Sequence, residues 1–463
     1  MRAGWRAGLG LVAAGMMVAL AGCGSGTATV AKNPVTPAVF SGPHGEATGG
    51  QQPVVAMTLQ LFAAGTTGYG SGATNVFTSE GLTLPTTSAT GSFSFPPTWH
   101  CINGTDQVYL VGTGGQPLAN TMGAETNANL GLMVALGTCS NLNAGTHIHM
   151  NELTTVAGVW ALAPFMSGNP TSYTNVGTSA TNTVGLGLAF NAAAQVVNTS
   201  TGTMPGTLPA GAVLPTYAIN SLADILEACI NSGGGTANDS TACGILFGQA
   251  PSGTGTVYPT DTITAAMNIA QNPARNVSNL YDIITPGPAF QPALPPPGPN
   301  AWTLAIQYTG GGLDAPTTIA VDQAGGVWVG NSVGDAVSKF DNLGNSLLGT
   351  TGTVLGGTPG GIAIDLTGNA WVTASNETLY ELNSAGTQTQ AYTGNGLNLP
   401  TSIAIDPSSN VWVVNSGSGA NSVSAFTSGG GTVSGSPFTG AGIASPAGIA
   451  INGNANASCA DCP

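Results

Sequence analysis

The 463-residue sequence predicts a multidomain, mainly β chain. It has a strand-rich front, a small, mostly α-helical middle domain and a partial β-propeller of about three to four blades. Three observations lead there. The chain holds 70 glycines and only 5% charged residues, yet 42% of it is hydrophobic. That balance suits short strands joined by small-residue turns around a true core, and disfavours wholesale disorder. A proline-led unit recurs after 43 and then 41 residues, the length of a four-stranded blade. Residues 286–300, PGPAFQPALPPPGPN, carry seven prolines and read as a stiff linker before the repeats. Length alone suggests about three domains.

The N-terminus bears on compartment. Arg2 and Arg6 precede an apolar run from Leu9 to Ala21, too short for a span of about 20 residues and right for a secretory signal. The run ends in Leu20-Ala21-Gly22-Cys23. This resembles the lipobox of bacterial lipoproteins. The resemblance implies a signal peptide over 1–22, a lipid on Cys23 and a flexible tether over 23–46. It also implies an extracytoplasmic protein anchored to the bacterial membrane, on the outer-membrane or cell-surface side. Beyond the signal, the only basic residues are Lys32, Arg275 and Lys339, against 19 acidic ones. So few cations cannot neutralise phosphates, which disfavours nucleic acid as a partner. An anionic membrane surface would repel the chain too, so attachment would run through the lipid alone.

Setting Cys23 aside leaves six cysteines, an even number that suggests disulfides outside the cytoplasm. Cys229 and Cys243 flank a Gly/Ser/Asn-rich loop and make the first candidate pair, with Cys101 and Cys139 next. Closing the shorter loop would stabilise by roughly 3 kcal/mol. Cys459 and Cys462 form a lone CxxC with no further zinc ligands nearby, and read as a terminal disulfide or free thiols.

Residues 47–117 alternate apolar and polar at Met57 to Leu61 and Phe93 to Phe95, with a β-rich run at Val108 to Val111. These strands, with Pro53-Val54, resemble a carboxypeptidase-regulatory-like or Cna-B-like β-sandwich. That resemblance implies a spacer or adhesion-type module without chemistry. Over 118–285 the period changes. Ser221-Leu-Ala-Asp224 reads as a capping box, with Leu222, Ile225, Leu226, Cys229 and Ile230 on one helical face. Asp261 caps a second helix that stops before Pro273. Asn127 to Leu136 and Glu152 to Phe165 are further helix candidates.

The repeats occupy 301–463. Pro316, Pro359 and Pro400 are each followed after six residues by Asp322, Asp365 and Asp406, and after twelve by Trp328, Trp371 and Trp412. Pro446 starts a fourth copy with Asn452 in the Asp place and Ser458 where Trp is due, so the array reads as incomplete. The equal register makes each Asp a turn residue accepting backbone bonds and each Trp a blade-packing residue, ahead of a cation site or a stacking surface. These copies resemble NHL repeats, in particular the streptogramin-lyase-like branch. For those lyases the resemblance implies a histidine base and a magnesium ion. All four histidines of this chain precede residue 150, so no such base carries over, although Glu377 and Glu381 lie in the repeats.

One motif outside the repeats could hold a metal. His147 and His149 would share a strand face, with Glu152 as a third ligand for zinc or copper. Otherwise no cofactor is expected beyond a possible divalent cation. The sequence thus leads to a binding or scaffold module. It would present propeller loops to a protein, peptide or glycan at the cell envelope, with homo-oligomers as one way to close the ring. A lyase- or lactonase-like enzyme and a ligand-free structural spacer are the alternatives.

Overall fold

The structure, a computed structural model, describes residues 42–117 and 126–451. Cys23, Cys459, Cys462 and the Asn452 and Ser458 positions lie outside these residues, as do the signal and most of the tether. The described chain is mainly β, with several antiparallel sheets and no closed barrel. Among the described residues no helix is long and apolar enough to cross a membrane.

Two sheets build the front. One runs β5-β1-β2-β7, from Ser92–Ser94, His44–Gly49, Gln52–Val55 and Gln116–Pro117. On its other edge β1 pairs in parallel with β9, His147–Met150. The other sheet runs β4-β3-β6-β8, from Thr74–Asn75, Thr58–Ala63, Gln107–Thr113 and Gly131–Thr138. Their inward residues, such as Ala47, Phe93, Leu59, Leu61 and Val111, meet in one core. A helical turn, α1 (Val76–Ser79), buries Val76 and Phe77 there.

Two sequence expectations fail here for one reason. Asn127 to Leu136 was expected as a helix, but Gly131–Thr138 is the strand β8. A continuous apolar run fits a strand buried on both sides as well as a buried helix. Helix α2 (Glu152–Leu162) covers β8, and Thr155 Oγ1 accepts the Met133 N–H at 3.0 Å. Consequently the boundary expected at 117/118 falls between two hydrogen-bonded strands, β6 and β8. Strands and helices from Ala47 to Trp302 share a single core rather than forming a separate sandwich and helical domain.

The remaining helices are α3 (Thr183–Val196), α4 (Thr216–Ile230), α5 (Ala242–Gln249), α6 (Thr262–Gln271) and α7 (Val277–Tyr281). Asp261 caps α6 by accepting the Thr264 N–H at 2.8 Å, and the helix ends before Pro273. The Ser221/Asp224 box is not a helix start. Helix α4 begins five residues earlier, and both side chains are buried within it. Ser221 Oγ accepts the Leu294 N–H at 2.8 Å, and Asp224 Oδ1 accepts the Phe290 N–H at 2.9 Å. The proline-rich stretch is therefore no free linker. It is strapped along α4 with Phe290 buried, and Trp302 is 1% exposed just beyond it. Both candidate disulfides among the described residues form, Cys101–Cys139 and Cys229–Cys243.

After the two-stranded pair β10 (Ala212–Val213) and β11 (Gln307–Tyr308) come three four-stranded antiparallel blades. The first is β12–β15: Pro316–Val321, Val327–Asn331, Ala336–Phe340 and Thr353–Val354. The second is β16–β19: Pro359–Ile364, Ala370–Ala374, Thr378–Leu382 and Gln388–Thr393. The third is β20–β23: Pro400–Ile405, Val411–Asn415, Ser422–Phe426 and Phe438–Thr439. Their registers coincide: Ala320, Ala363 and Ala404 lie opposite Trp328, Trp371 and Trp412. Each leading proline sits at a bulge, where its missing N–H costs nothing.

Candidate functional site

In each blade the repeated aspartate closes its own hairpin turn. Asp322 Oδ1 accepts from Gly326 N at 2.7 Å, Asp365 Oδ1 from Asn369 N at 2.9 Å and Asp406 Oδ1 from Asn410 N at 2.8 Å. The other oxygen accepts the indole N–H of that blade's tryptophan, at 3.0, 3.1 and 2.9 Å. Burial alone would raise these carboxyl pKa values. The converging donors outweigh it and hold all three below the ordinary value. Each carboxylate is thus spent on its own turn and its own indole.

The tryptophans differ in what covers them. Trp328 and Trp371 are fully buried, whereas Trp412 is half-buried and stacks on Phe438. Trp328 packs into the face of the second blade, among Leu355, Ile362, Ala370, Val372 and Leu382. Trp371 packs into the third, among Leu397, Ile403, Val411, Val413 and Phe426. The matching residues of the first blade are Leu313, Ile319, Val327, Val329 and Phe340. They line an open pocket of about 240 Å³ beside Tyr308. Ile319 is 66% exposed, where its counterpart Ile362 is 8% exposed. Lys339 was not singled out by the sequence, although it is the only basic residue in the repeats. It is buried, 3.1 Å from Asp322 Oδ2 and 4.3 Å above the Trp328 ring, and donates to Ser384 O at 2.6 Å.

A second concentration of chemistry lies on the outer face of the first sheet. Along β1, His44, Glu46 and Thr48 alternate with buried Gly45, Ala47 and Gly49. Along β9, His147 and His149 alternate with buried Ile148 and Met150. The register sets His44 opposite His147 and Glu46 opposite His149. The two imidazoles do share a face, but Glu152 does not join them. Its Oε1 accepts the Gly50 N–H at 2.8 Å, and the residue is fully buried at the first turn of α2, capped by Asn151. His147 Nδ1 pairs with Ser200 O at 2.8 Å. The His147/His149/Glu152 metal set is thus not assembled. Among the described residues no group of three or more His, Cys, Asp or Glu is placed to hold a metal ion. Burial pushes the Glu152 carboxyl up to about 8 and Asp224 up to about 7, with Glu227 nearby adding repulsion to both.

His149 instead sits between two side chains of β1. Its Nδ1 is 2.9 Å from Glu46 Oε1 and its Nε2 is 3.0 Å from Thr48 Oγ1. Sequence reading missed both partners, because they lie about 100 residues away and 23–46 read as tether. The available signal was the i, i+2, i+4 spacing of His44, Glu46 and Thr48, which marks one strand face.

No known protein family and no curated protein matches the chain. Solved structures that match include a catalytically inactive virginiamycin B lyase from Staphylococcus aureus with quinupristin. It is 20% identical, covers 29% of this chain and 45% of that chain, and has a TM-score of 0.26. A streptogramin B lyase structure is 17% identical, with 30% and 45% covered and a TM-score of 0.25. The computationally designed Ika4 protein is 14% identical, with 30% and 81% covered and a TM-score of 0.24. The matches span less than half the length of the lyase chains. The two lyases are weak, streptogramin-lyase-like propeller neighbours, and the blade description above rests on this chain's own register.

Proposed function

We propose that the protein is a binding module of the cell envelope whose recognition surface is the open face of the first blade. The ligand is a protein partner presenting an aromatic side chain on an extended segment. The observation that carries this reading is the unfilled pocket of Leu313, Ile319, Val327, Val329 and Phe340. The same five positions in the next two blades each bury an indole. A surface built to receive tryptophan from a strand suits a strand-borne aromatic from elsewhere, with the burial of apolar area as driving force. The lipobox-like Leu20–Cys23 stretch and the two disulfides support an extracytoplasmic setting.

The test is calorimetry with the peptide acetyl-Ala-Trp-Val-Thr-amide, which copies residues 370–373, against the full chain and its Ile319→Lys variant. Binding to the wild type, weakened about tenfold or more by the lysine, supports the proposal. No binding, or equal binding to both proteins, overturns it. Concentration-dependent mass with loss of peptide binding would mean that a second copy of this chain, not a separate partner, covers the face, and would overturn the proposal as stated.

A further inference from the structure

We propose that Thr48, His149 and Glu46 form an acyl-transfer site, with the Thr48 hydroxyl as nucleophile, His149 as its base and Glu46 as the group that orients the imidazole. A carboxylate only accepts, so the 2.9 Å contact to Glu46 Oε1 fixes the proton on His149 Nδ1. The lone pair of Nε2 is then left to accept, and its partner at 3.0 Å is Thr48 Oγ1. The hydroxyl proton therefore points at the base. Nucleophile, base and orienter in hydrogen-bond sequence are the signature of an activated hydroxyl.

The scaffold holds this geometry. Glu46 and His149 face each other across parallel strands, and Thr48 follows Glu46 on the same face. The His149 backbone N–H donates to Thr199 O at 2.8 Å. The loop closed by Asn198 and Thr203 bears on the ring: a Cβ at Gly202, with φ +65°, would lie 2.5 Å from His149 Cδ2. Desolvation lowers the pKa of His149, opposed by Glu46, which favours the neutral imidazole a base requires. The triad is reachable, since Thr48 is half-buried and the Glu46 side chain is 44% exposed. Beside it the face opens into a depression of about 490 Å³ lined by His44, Glu46, Ser92 and His147.

The step balances without a cofactor. Thr48 Oγ adds to the carbonyl carbon of an ester while its proton passes to His149 Nε2. The bond to the leaving oxygen breaks, and that oxygen takes the proton as an alcohol. Water then attacks the acyl-threonine in the same way, giving the carboxylic acid and restoring the hydroxyl. One ester and one water become one acid and one alcohol.

The experiment exposes the full chain at pH 7.5 to a fluorophosphonate and, separately, to p-nitrophenyl acetate. Intact mass, peptide mapping and p-nitrophenol release are the readouts. The expected result is an adduct on Thr48, absent in Thr48→Val and formed roughly 100-fold more slowly in His149→Gln. Glu46→Gln lowers the rate by about tenfold, and Thr48→Ser, which keeps the hydrogen bond on a less hindered hydroxyl, labels faster than wild type. An adduct elsewhere, no adduct in either wild type or Thr48→Ser, or equal rates in wild type and a folded His149→Gln overturns the proposal.

Discussion

Replacing Glu152 by glutamine isolates the energetic effect of one buried acid. The carboxyl is fully buried, Oε1 accepts the Gly50 N–H, and Oε2 has no partner. Burial raises its pKa from 4.5 to about 8. Since the folded pKa lies above the unfolded one, the folded chain keeps a proton that the unfolded chain loses between those values. The stabilising contribution is fully present below about pH 4.5 and is lost as pH rises through about 8. A shift of that size corresponds to on the order of 5 kcal/mol across the window. Asp224, pushed up to about 7, titrates in the same direction, so the difference between wild type and variant is what isolates Glu152. Glutamine keeps an acceptor for Gly50 and cannot ionise. Denaturant unfolding from pH 4 to 9 should show the wild type falling several kcal/mol more steeply than Glu152→Gln, the variant becoming the more stable protein near pH 9. Parallel curves would refute the reasoning, because they would mean that Glu152 carries the same charge folded and unfolded.

Three further outcomes follow from packing. Gly45→Ala puts a Cβ 1.7 Å from the Ile148 carbonyl oxygen between parallel strands, and should abolish soluble folded protein in expression trials. Lys339→Ala leaves Asp322 without its buried cation and should cost about 3–5 kcal/mol, read as an earlier unfolding of the blades. The double change Cys229→Ser with Cys243→Ser should lower stability by roughly 3 kcal/mol and leave the blades' unfolding in place, resolved by calorimetry with blade tryptophan fluorescence.

What the sequence made legible was whatever it wrote locally or repeatedly. The Pro, Asp and Trp marks recur in one register, and three blades with that register are present. The Asp261 cap and the helix after it were readable because cap and first turn are adjacent. The failures involve distant partners. Ser221 and Asp224 look like a cap, but their acceptors serve backbone 73 and 66 residues away. The apolar run through β8 has no period to betray it, because both its faces are covered. The Glu46–His149–Thr48 set depends on a parallel pairing of strands some 100 residues apart, which no local pattern announces.

Trp328 and Trp371 are each tethered by their own blade's aspartate yet buried against the following blade. The second blade thus carries plug and socket on opposite faces, and the two junctions share that plan while differing in what flanks the indole, Lys339 at the first and Tyr392 at the second. Gene duplication of such a unit would add a new plug together with a new socket, leaving only the residues that flank the indole to adjust. Variation can then accumulate in the loops of each copy while the junctions stay fixed. The arrangement lengthens by copying, and it diversifies at its rim without risk to its joints.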